Sequence, residues 1–104
     1  MNEKLIDLRD LIPKMDLDNS GFLDFFELEH LQVGILRLRP GEQDAQEPHS
    51  SDEVYMVLEG DGFIEIGKKS YSLKKDLFIF VPAEVKHKFY GNTKEILVLY
   101  FFSD

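Results

Sequence analysis

The sequence predicts an all-β fold, an antiparallel sandwich or barrel, with a short helical turn near its start. From residue 32 onward, short apolar segments begin roughly every eight to twelve residues, and Gly, Pro or Asn stands between most of them. Apolar residues at helical spacing occur only within the first thirty residues. The chain of 104 residues is long enough for one domain around one core.

The helical turn is predicted from the spacing of Leu5, Leu8, Leu11 and Ile12. Pro13 is expected to end it after one or two turns, because proline has no N–H to continue the helical hydrogen bonds. The segment FLDFFEL at residues 22–28 is rich in aromatic and apolar residues, which is typical of a strand.

Seven further segments are predicted to be strands, since each is apolar or alternating and is bounded by turn residues. Their limits are 32–39, 54–59, 63–66, 70–73, 77–81, 86–90 and 96–102. The sequence Gly60-Asp61-Gly62 is a hairpin signal between two of them.

Composition and charge exclude several functional classes. The net charge of -8 and the pI near 4.8 argue against nucleic acid or an anionic membrane surface as a partner, because both attract basic patches. Without cysteine the chain has no disulfide and no cysteine-type zinc site. The start MNEKLIDLRD lacks the apolar core of a signal peptide, and the longest apolar run, residues 96–102, is too short to span a bilayer. A cytoplasmic location is therefore expected.

The stretch DLDNSGFLDFFE at residues 16–27 matches the calcium loop of an EF-hand. Oxygen-bearing side chains occupy loop positions 1, 3, 5, 9 and 12, and a glycine occupies the sharp turn: Asp16, Asp18, Ser20, Asp24, Glu27 and Gly21. An EF-hand also needs a helix on each side, which Pro13 and the β-rich sequence after the loop disfavour. The competing interpretation is a turn followed by a strand, whose alternation would send Asp24 and Glu27 to opposite faces. Calcium binding is the less favoured hypothesis.

A second group of metal-binding residue types lies between residues 41 and 60. Five residues separate Gly41 from Glu47, and one residue separates Glu47 from His49. Three residues then separate His49 from Glu53, and six separate Glu53 from Gly60. Residues two or four apart on a strand share a face, so Glu47, His49, Glu53 and then Tyr55 are expected to project to one side. Such an inward-facing run is unfavourable in a barrel unless a metal or hydrogen bonds satisfy it.

A further histidine, His87, lies in the stretch DLFIFVPAEVKHKFYGN at residues 76–92. The two stretches together resemble the two motifs of the cupin superfamily, G-x5-H-x-H-x3,4-E-x6-G and G-x5-P-x-G-x2-H-x3-N. Glu47 stands where the family usually has its first histidine, and Asp76 and Glu84 stand where glycines are common. The resemblance covers about residues 22–102. It implies a single small cupin domain, a double-stranded β-helix or jelly-roll barrel, with residues 1–21 as an N-terminal extension.

The resemblance implies a metal site, because in this fold His87 lies opposite the first motif. Its ligands would be His49, Glu53 and His87, with Glu47 as a fourth. Two imidazoles with carboxylates can bind one divalent transition metal, and these residue types do not determine whether it is Fe, Mn, Ni or Zn. Other interpretations stay open: a histidine between Lys86 and Lys88 is also typical of a surface, and Glu47 of a solvated loop.

Similar proteins imply an enzyme of the oxygenase, isomerase or lyase type that acts on a small, anionic molecule. Glu47 would then serve as a general base rather than a ligand, and Tyr55 as a proton donor. Arg37 or Arg39 would bind the anion if their shared face points into the barrel; on the outer face they are ordinary surface charges. The alternatives are a non-catalytic module that binds or senses a small molecule or a metal, and a metal-free barrel in which His49, Glu53 and His87 only bond one another.

A homodimer is predicted from the last apolar segment, ILVLYFF. It does not alternate between polar and apolar residues, so both of its faces should be covered. The barrel core would cover one face. Small cupins commonly pair through such strands, which implies that a second copy of the chain covers the other.

Overall fold

A computed structural model describes residues 3–18 and 21–103. These residues contain one helix, α1 (Leu8–Asp18), and eight strands. The strands are β1 (Phe22–Glu27), β2 (Leu31–Leu38), β3 (Glu53–Glu59), β4 (Phe63–Ile66), β5 (Lys69–Ser72), β6 (Phe78–Val81), β7 (His87–Tyr90) and β8 (Ile96–Ser103). The predicted all-β fold is confirmed, and every predicted strand limit lies within one residue of the observed one.

The strands form two antiparallel sheets that face each other across the core. One sheet has the order β1-β2-β8-β3-β6, and the other has the order β5-β4-β7. The core between them takes alternate residues of each strand; Tyr55 and Val57 come from the large sheet, and Ile64 and Phe89 from the small one. The same alternation turns Glu53, the first residue of β3, into the barrel.

Helix α1 packs on the outer face of the large sheet. Met15, which is 1% exposed, contacts a second apolar cluster built around Ile35 and Leu97. The prediction that Pro13 ends the helix is wrong, because α1 continues through Pro13 to Asp18. Proline removes one hydrogen bond from the helix interior, but Ile12 and Met15 on either side of it pack in the apolar cluster on the sheet. At 11 residues, α1 is too short to cross a membrane, and the described part of the chain has no longer helix.

Part of the outer face of β8 is therefore covered within the chain. Leu97, which points outward from β8, is 4% exposed beneath α1. That face was expected to need a second copy, but α1 covers its Leu97 end, while Leu99 and Phe101 on the same face are only partly buried. Large exposed apolar side chains lie instead on the edge strand β6, where Phe78 is 67% and Phe80 is 58% exposed. The homodimer remains a prediction.

Candidate metal centre

Three side chains from three parts of the fold meet inside one end of the barrel. His49 comes from the segment before β3, Glu53 begins β3 in the large sheet, and His87 begins β7 in the small sheet. One potential ligand atom of each lies within 4.8 Å of the other two. Oε1 of Glu53 is 3.1 Å from Nε2 of His87 and 3.7 Å from Nε2 of His49. The three residues predicted from the two motifs are thus brought together.

The Glu53 carboxylate is the atom group that most clearly requires a partner. Its side chain is 2% exposed, and Oε1 is buried with no hydrogen-bond partner among the described residues. The 3.1 Å contact with His87 is close, but it is not aligned as a hydrogen bond. Burying a carboxylate oxygen without a partner is costly, and a bound cation would remove that cost. The donor set therefore fits a metal ion.

His87 is held with one ring nitrogen toward this carboxylate. Its Nδ1 lies 3.0 Å from the carbonyl oxygen of Val85, and because a carbonyl only accepts, Nδ1 carries a proton there. Nε2 is then the nitrogen that faces Glu53. Burial lowers the pKa of His87, but the Glu53 carboxylate and the Val85 carbonyl raise it by more, so the pKa lies above its ordinary value.

Tyr55 places its hydroxyl beside the centre while its ring fills the core. The residue is fully buried, and the ring packs edge-on against Phe89. The hydroxyl donates a hydrogen bond to Oε1 of Gln46 at 3.0 Å and lies 3.0 Å from Nε2 of His87. Burial, and next the negative charge of Glu53, raise the pKa of Tyr55 far above its ordinary value, so the phenol keeps its proton.

Glu47 does not take the place that strand alternation predicted. It is exposed and lies outside the group of His49, Glu53 and His87. Residues 43–50 form neither strand nor helix, so the rule that every second residue shares a face does not apply to them. The neighbouring Gln46 turns inward instead, and its Oε1 lies 3.5 Å from Nε2 of His49. Sequence reasoning missed Gln46, and no local signal in the sequence marks it.

A cavity of about 570 Å³ opens onto His49 and Glu53. Its wall is formed by β1, β2, β8 and the segment before β3. The residues that line it are Phe22, Asp24, Glu27, Leu28, Leu31, Gln32, Leu36, Gln46, His49, Ser50, Ser51, Glu53, Tyr100 and Phe102. The described lining carries carboxylates but no Lys or Arg. The electrostatic character of this cavity is therefore acidic.

Asp24 and Glu27 line this cavity together, which corrects the expectation that they point to opposite faces. The pairing of β1 with β2 shifts register between Asp24 and Phe26, and the extra residue of such a bulge resets the alternation. Asp24 accepts a hydrogen bond from the Tyr100 hydroxyl. Gly34 allows this contact, because a Cβ atom there would lie 2.1 Å from the Tyr100 oxygen.

The calcium loop lacks its exiting helix. α1 ends at Asp18, and the residues that follow Gly21 form β1, a strand paired with β2, where an EF-hand requires a helix. Asp16 forms an ion pair with Arg37. Ser20, another predicted calcium ligand, lies outside the described residues.

Arg37 and Arg39 do not line the cavity. Arg37 is buried on the outer side of β2, where its guanidinium meets Asp16 of α1. Arg39 is partly exposed, and its guanidinium lies 3.8 Å from the same carboxylate and 4.0 Å from Glu95. The option that their face points into the barrel is wrong, so neither side chain is placed to bind an anion there.

Comparison with known proteins gives consistent matches. A family model described as a cupin domain matches residues 34–103. A protein from Streptomyces coelicolor, described as uncharacterised, is 32% identical over 100 residues, which are 96% of this chain and 95% of that protein.

Two solved structures show the same fold. An RmlC-like cupin from Methanocaldococcus jannaschii, described as a double-stranded β-helix, matches with a TM-score of 0.71 at 18% identity, over 79% of this chain and 77% of that one. A DMSP lyase from Ruegeria pomeroyi matches with a TM-score of 0.71 at 16% identity, over 81% of this chain and 47% of that one. At these identities the two structures carry the fold and not the reaction.

Proposed function

Because the chain belongs to the cupin domain family, we propose that its barrel binds one divalent transition metal through His49, Glu53 and His87 and uses it to act on a small molecule. The buried Glu53 oxygen without a hydrogen-bond partner carries this proposal. A carboxylate in that environment is satisfied by a cation that replaces the lost water.

The distances among the ligand atoms support a shared ion. Two atoms that are each about 2.1 Å from one metal lie roughly 3.0 to 4.2 Å apart. The contacts of Glu53 with His87 and His49, at 3.1 and 3.7 Å, fall within that range. Two imidazoles and a carboxylate bind Fe, Mn, Ni and Zn, and we propose one of these ions.

When bound, the metal would polarise an oxygen of the substrate as a Lewis acid or, if it is iron, activate oxygen. The Val85 carbonyl fixes the ring of His87 so that Nε2 faces the site. Tyr55 keeps a proton on its hydroxyl 3.0 Å from that nitrogen, where it can donate to a bound molecule. The role of Glu47 as a general base stays a hypothesis, and its exposed side chain lies outside the ligand group.

Away from the proposed metal, the acidic wall of the cavity favours a neutral or positively charged part of a small molecule. Asp24 and Glu27 contribute carboxylates to this wall, and the described lining has no Lys or Arg to attract an anion. Phe22 and Phe102 add apolar surface to the same wall. The anionic small molecule suggested by the sequence stays a prediction, because the bound metal would itself attract a negatively charged group.

Elemental analysis tests the metal site. Protein purified without chelator or a metal-affinity tag should carry close to one equivalent of a transition metal, and His87→Ala should carry almost none. Less than about a tenth of an equivalent in the parent, with no uptake on adding metal back, would favour the metal-free barrel.

Turnover separates catalysis from binding. The metal-loaded parent and His87→Ala would be incubated in air with a panel of neutral, cationic and anionic small molecules, and only the parent should consume one of them. Saturable binding without turnover would identify the protein as a non-catalytic binding or sensing module. Equal turnover by both proteins would contradict a catalytic role for this site.

We also propose that the chain forms a homodimer and works in the cytoplasm. The exposed Phe78 and Phe80 of β6 support an association surface. Light scattering should return about twice the mass of 12.1 kDa, and a monomer mass would remove the dimer.

A further inference from the structure

We propose that Gln46 is a fourth protein ligand of this metal, binding through its side-chain oxygen Oε1 where Glu47 was expected to bind. The inference rests on the proposed metal site and names a residue that the two motifs do not contain. The orientation of the amide and its position among the ligand atoms carry it.

The orientation of the Gln46 amide is fixed by Asp44. Nε2 of Gln46 donates a hydrogen bond to Oδ2 of Asp44 at 2.8 Å. The same Asp44 oxygen accepts the backbone N–H of Phe89 at 2.9 Å, which anchors the carboxylate to β7. An ionised carboxylate only accepts, so the NH₂ end of the amide must face Asp44. The carbonyl end is thereby turned toward the metal-binding residues.

The carbonyl oxygen completes a ring of five polar atoms. It lies 3.0 Å from the Tyr55 hydroxyl, which lies 3.0 Å from Nε2 of His87. The ring continues from His87 to Oε1 of Glu53 at 3.1 Å and on to Nε2 of His49 at 3.7 Å. It closes from His49 back to Gln46 at 3.5 Å. Gln46 therefore occupies the same kind of position relative to His49 as Glu53 does.

Gln46 and Glu47 would give the ion different charges. A site with Glu53 and a neutral amide contributes one negative charge, whereas a site with Glu53 and Glu47 contributes two. With Gln46, a divalent ion keeps a net positive charge and polarises a bound oxygen more strongly. Gln46 also faces the cavity, whereas Glu47 is exposed and does not line it.

Titration of the chelator-treated full chain with Co²⁺, by calorimetry and by visible absorption, tests the proposal. Gln46→Ala should weaken the Co²⁺ affinity by about 10- to 100-fold and change the absorption bands, because the ion loses a protein ligand. Gln46→Met, which keeps the length of the side chain without its amide oxygen, should do the same. Glu47→Ala, one residue away, should leave the affinity within about threefold of the parent and the bands unchanged.

Tyr55→Phe distinguishes a ligand from a positioning residue. It removes the hydroxyl that joins Gln46 to His87 but leaves the amide oxygen in place. A parent-like spectrum and affinity in Tyr55→Phe support direct binding by Gln46. If Tyr55→Phe shows the same loss of Co²⁺ affinity as Gln46→Ala, direct binding by Gln46 is overturned, because Gln46 would then act through Tyr55.

His87→Ala separates failure of this inference from failure of the proposed function. No Co²⁺ binding in His87→Ala supports the site itself, and parent-like binding would overturn the site and the role of Gln46 together. If His87→Ala loses binding while Gln46→Ala and Gln46→Met keep the affinity and spectrum of the parent, the role of Gln46 alone is refuted. Circular dichroism of the metal-free variants should match the parent, which excludes misfolding as the cause of a weaker affinity.

Discussion

Asp76 and Glu84 show at the level of single residues why their positions favour glycine. Both stand where the cupin pattern commonly has glycine, and both have positive φ angles, 70° and 68°. A residue with a Cβ atom pays roughly 1–2 kcal/mol in this left-handed region. The backbone N–H of Glu84 donates a hydrogen bond to the carbonyl oxygen of His49 at 2.7 Å. The strained turn thus holds the backbone of a proposed metal ligand.

Glu84→Gly should raise the free energy of unfolding by about 0.5–1 kcal/mol, because glycine adopts this conformation without strain and the backbone hydrogen bond is kept. Urea unfolding of the two proteins measures the difference. Lys86→Gly is the control: this exposed neighbour has no positive φ angle, so glycine there should not stabilise the fold. Equal effects at residues 84 and 86 would contradict the strain at Glu84.

Among the elements, α1 closes the second apolar cluster of the molecule. Met15 lies against the outer face of the large sheet and is 1% exposed, whereas Leu17 of the same helix is 86% exposed. Met15→Ala should lower the free energy of unfolding by about 2–5 kcal/mol, since it leaves a cavity beneath the helix. Leu17→Ala should change it by no more than about 0.5 kcal/mol.

Urea unfolding and light scattering on the two variants distinguish a covering helix from a subunit interface. A large loss of stability in Met15→Ala with unchanged mass supports coverage by α1. Similar small losses in both variants would mean that α1 contributes little to the core.

A second contact between elements depends on pH. The Asp61 carboxylate, in the turn between β3 and β4, accepts hydrogen bonds from the Thr93 hydroxyl and from the backbone N–H groups of Thr93 and Lys94. The hydrogen bond from the Thr93 hydroxyl holds the pKa of Asp61 below its usual 3.8, and the hydrogen bond from the Lys94 N–H lowers it by a smaller amount. A depressed pKa in the folded state means that Asp61 stabilises the fold above pH 3.8 and loses this effect as the pH falls through its folded pKa.

Asp61→Ala should therefore lower the urea midpoint at pH 7, because the turn and the loop before β8 lose their shared acceptor. The gap to the parent should shrink as the pH falls below 3.8. Glu59→Ala, which removes an exposed carboxylate two residues away, is the control for the change in net charge. A gap that persists unchanged at low pH would show that the hydrogen bonds of Asp61 do not depend on its charge.

At the scale of the whole molecule, the proposed metal would join the two sheets. Glu53 belongs to the large sheet and His87 to the small one, and His49 lies in the segment that leads into β3. An ion bound to all three would be held by ligands from both sheets, and these ligands move apart when the chain unfolds. Metal binding should therefore stabilise the entire barrel.

Metal at about 100 times its Kd should raise the free energy of unfolding by about 2.7 kcal/mol. For a chain of this size that corresponds to a rise in Tm of roughly 10–20 °C. Thermal unfolding of the chelator-treated protein with and without added Mn²⁺ or Zn²⁺ measures the rise. Glu53→Gln, which keeps the shape of the side chain without its charge, should show almost none. An equal rise in both proteins would place the bound metal elsewhere.

The sequence by itself determined the strands and the three motif residues of the candidate site. Strand limits follow from apolar segments between turn residues, which are local patterns, so they came out within one residue. His49, Glu53 and His87 were found because their spacing resembles that of a known family, and the fold then brings them within 4.8 Å.

Only the tertiary structure decided which neighbours of these residues face inward. Outside regular strands the alternation rule has no basis, so Gln46 rather than Glu47 turns toward the site. A bulge in β1 brings Asp24 and Glu27 to one cavity, and packing on the sheet carries α1 past Pro13. Each of these outcomes depends on contacts between segments far apart in the chain, and local sequence carries no record of such contacts.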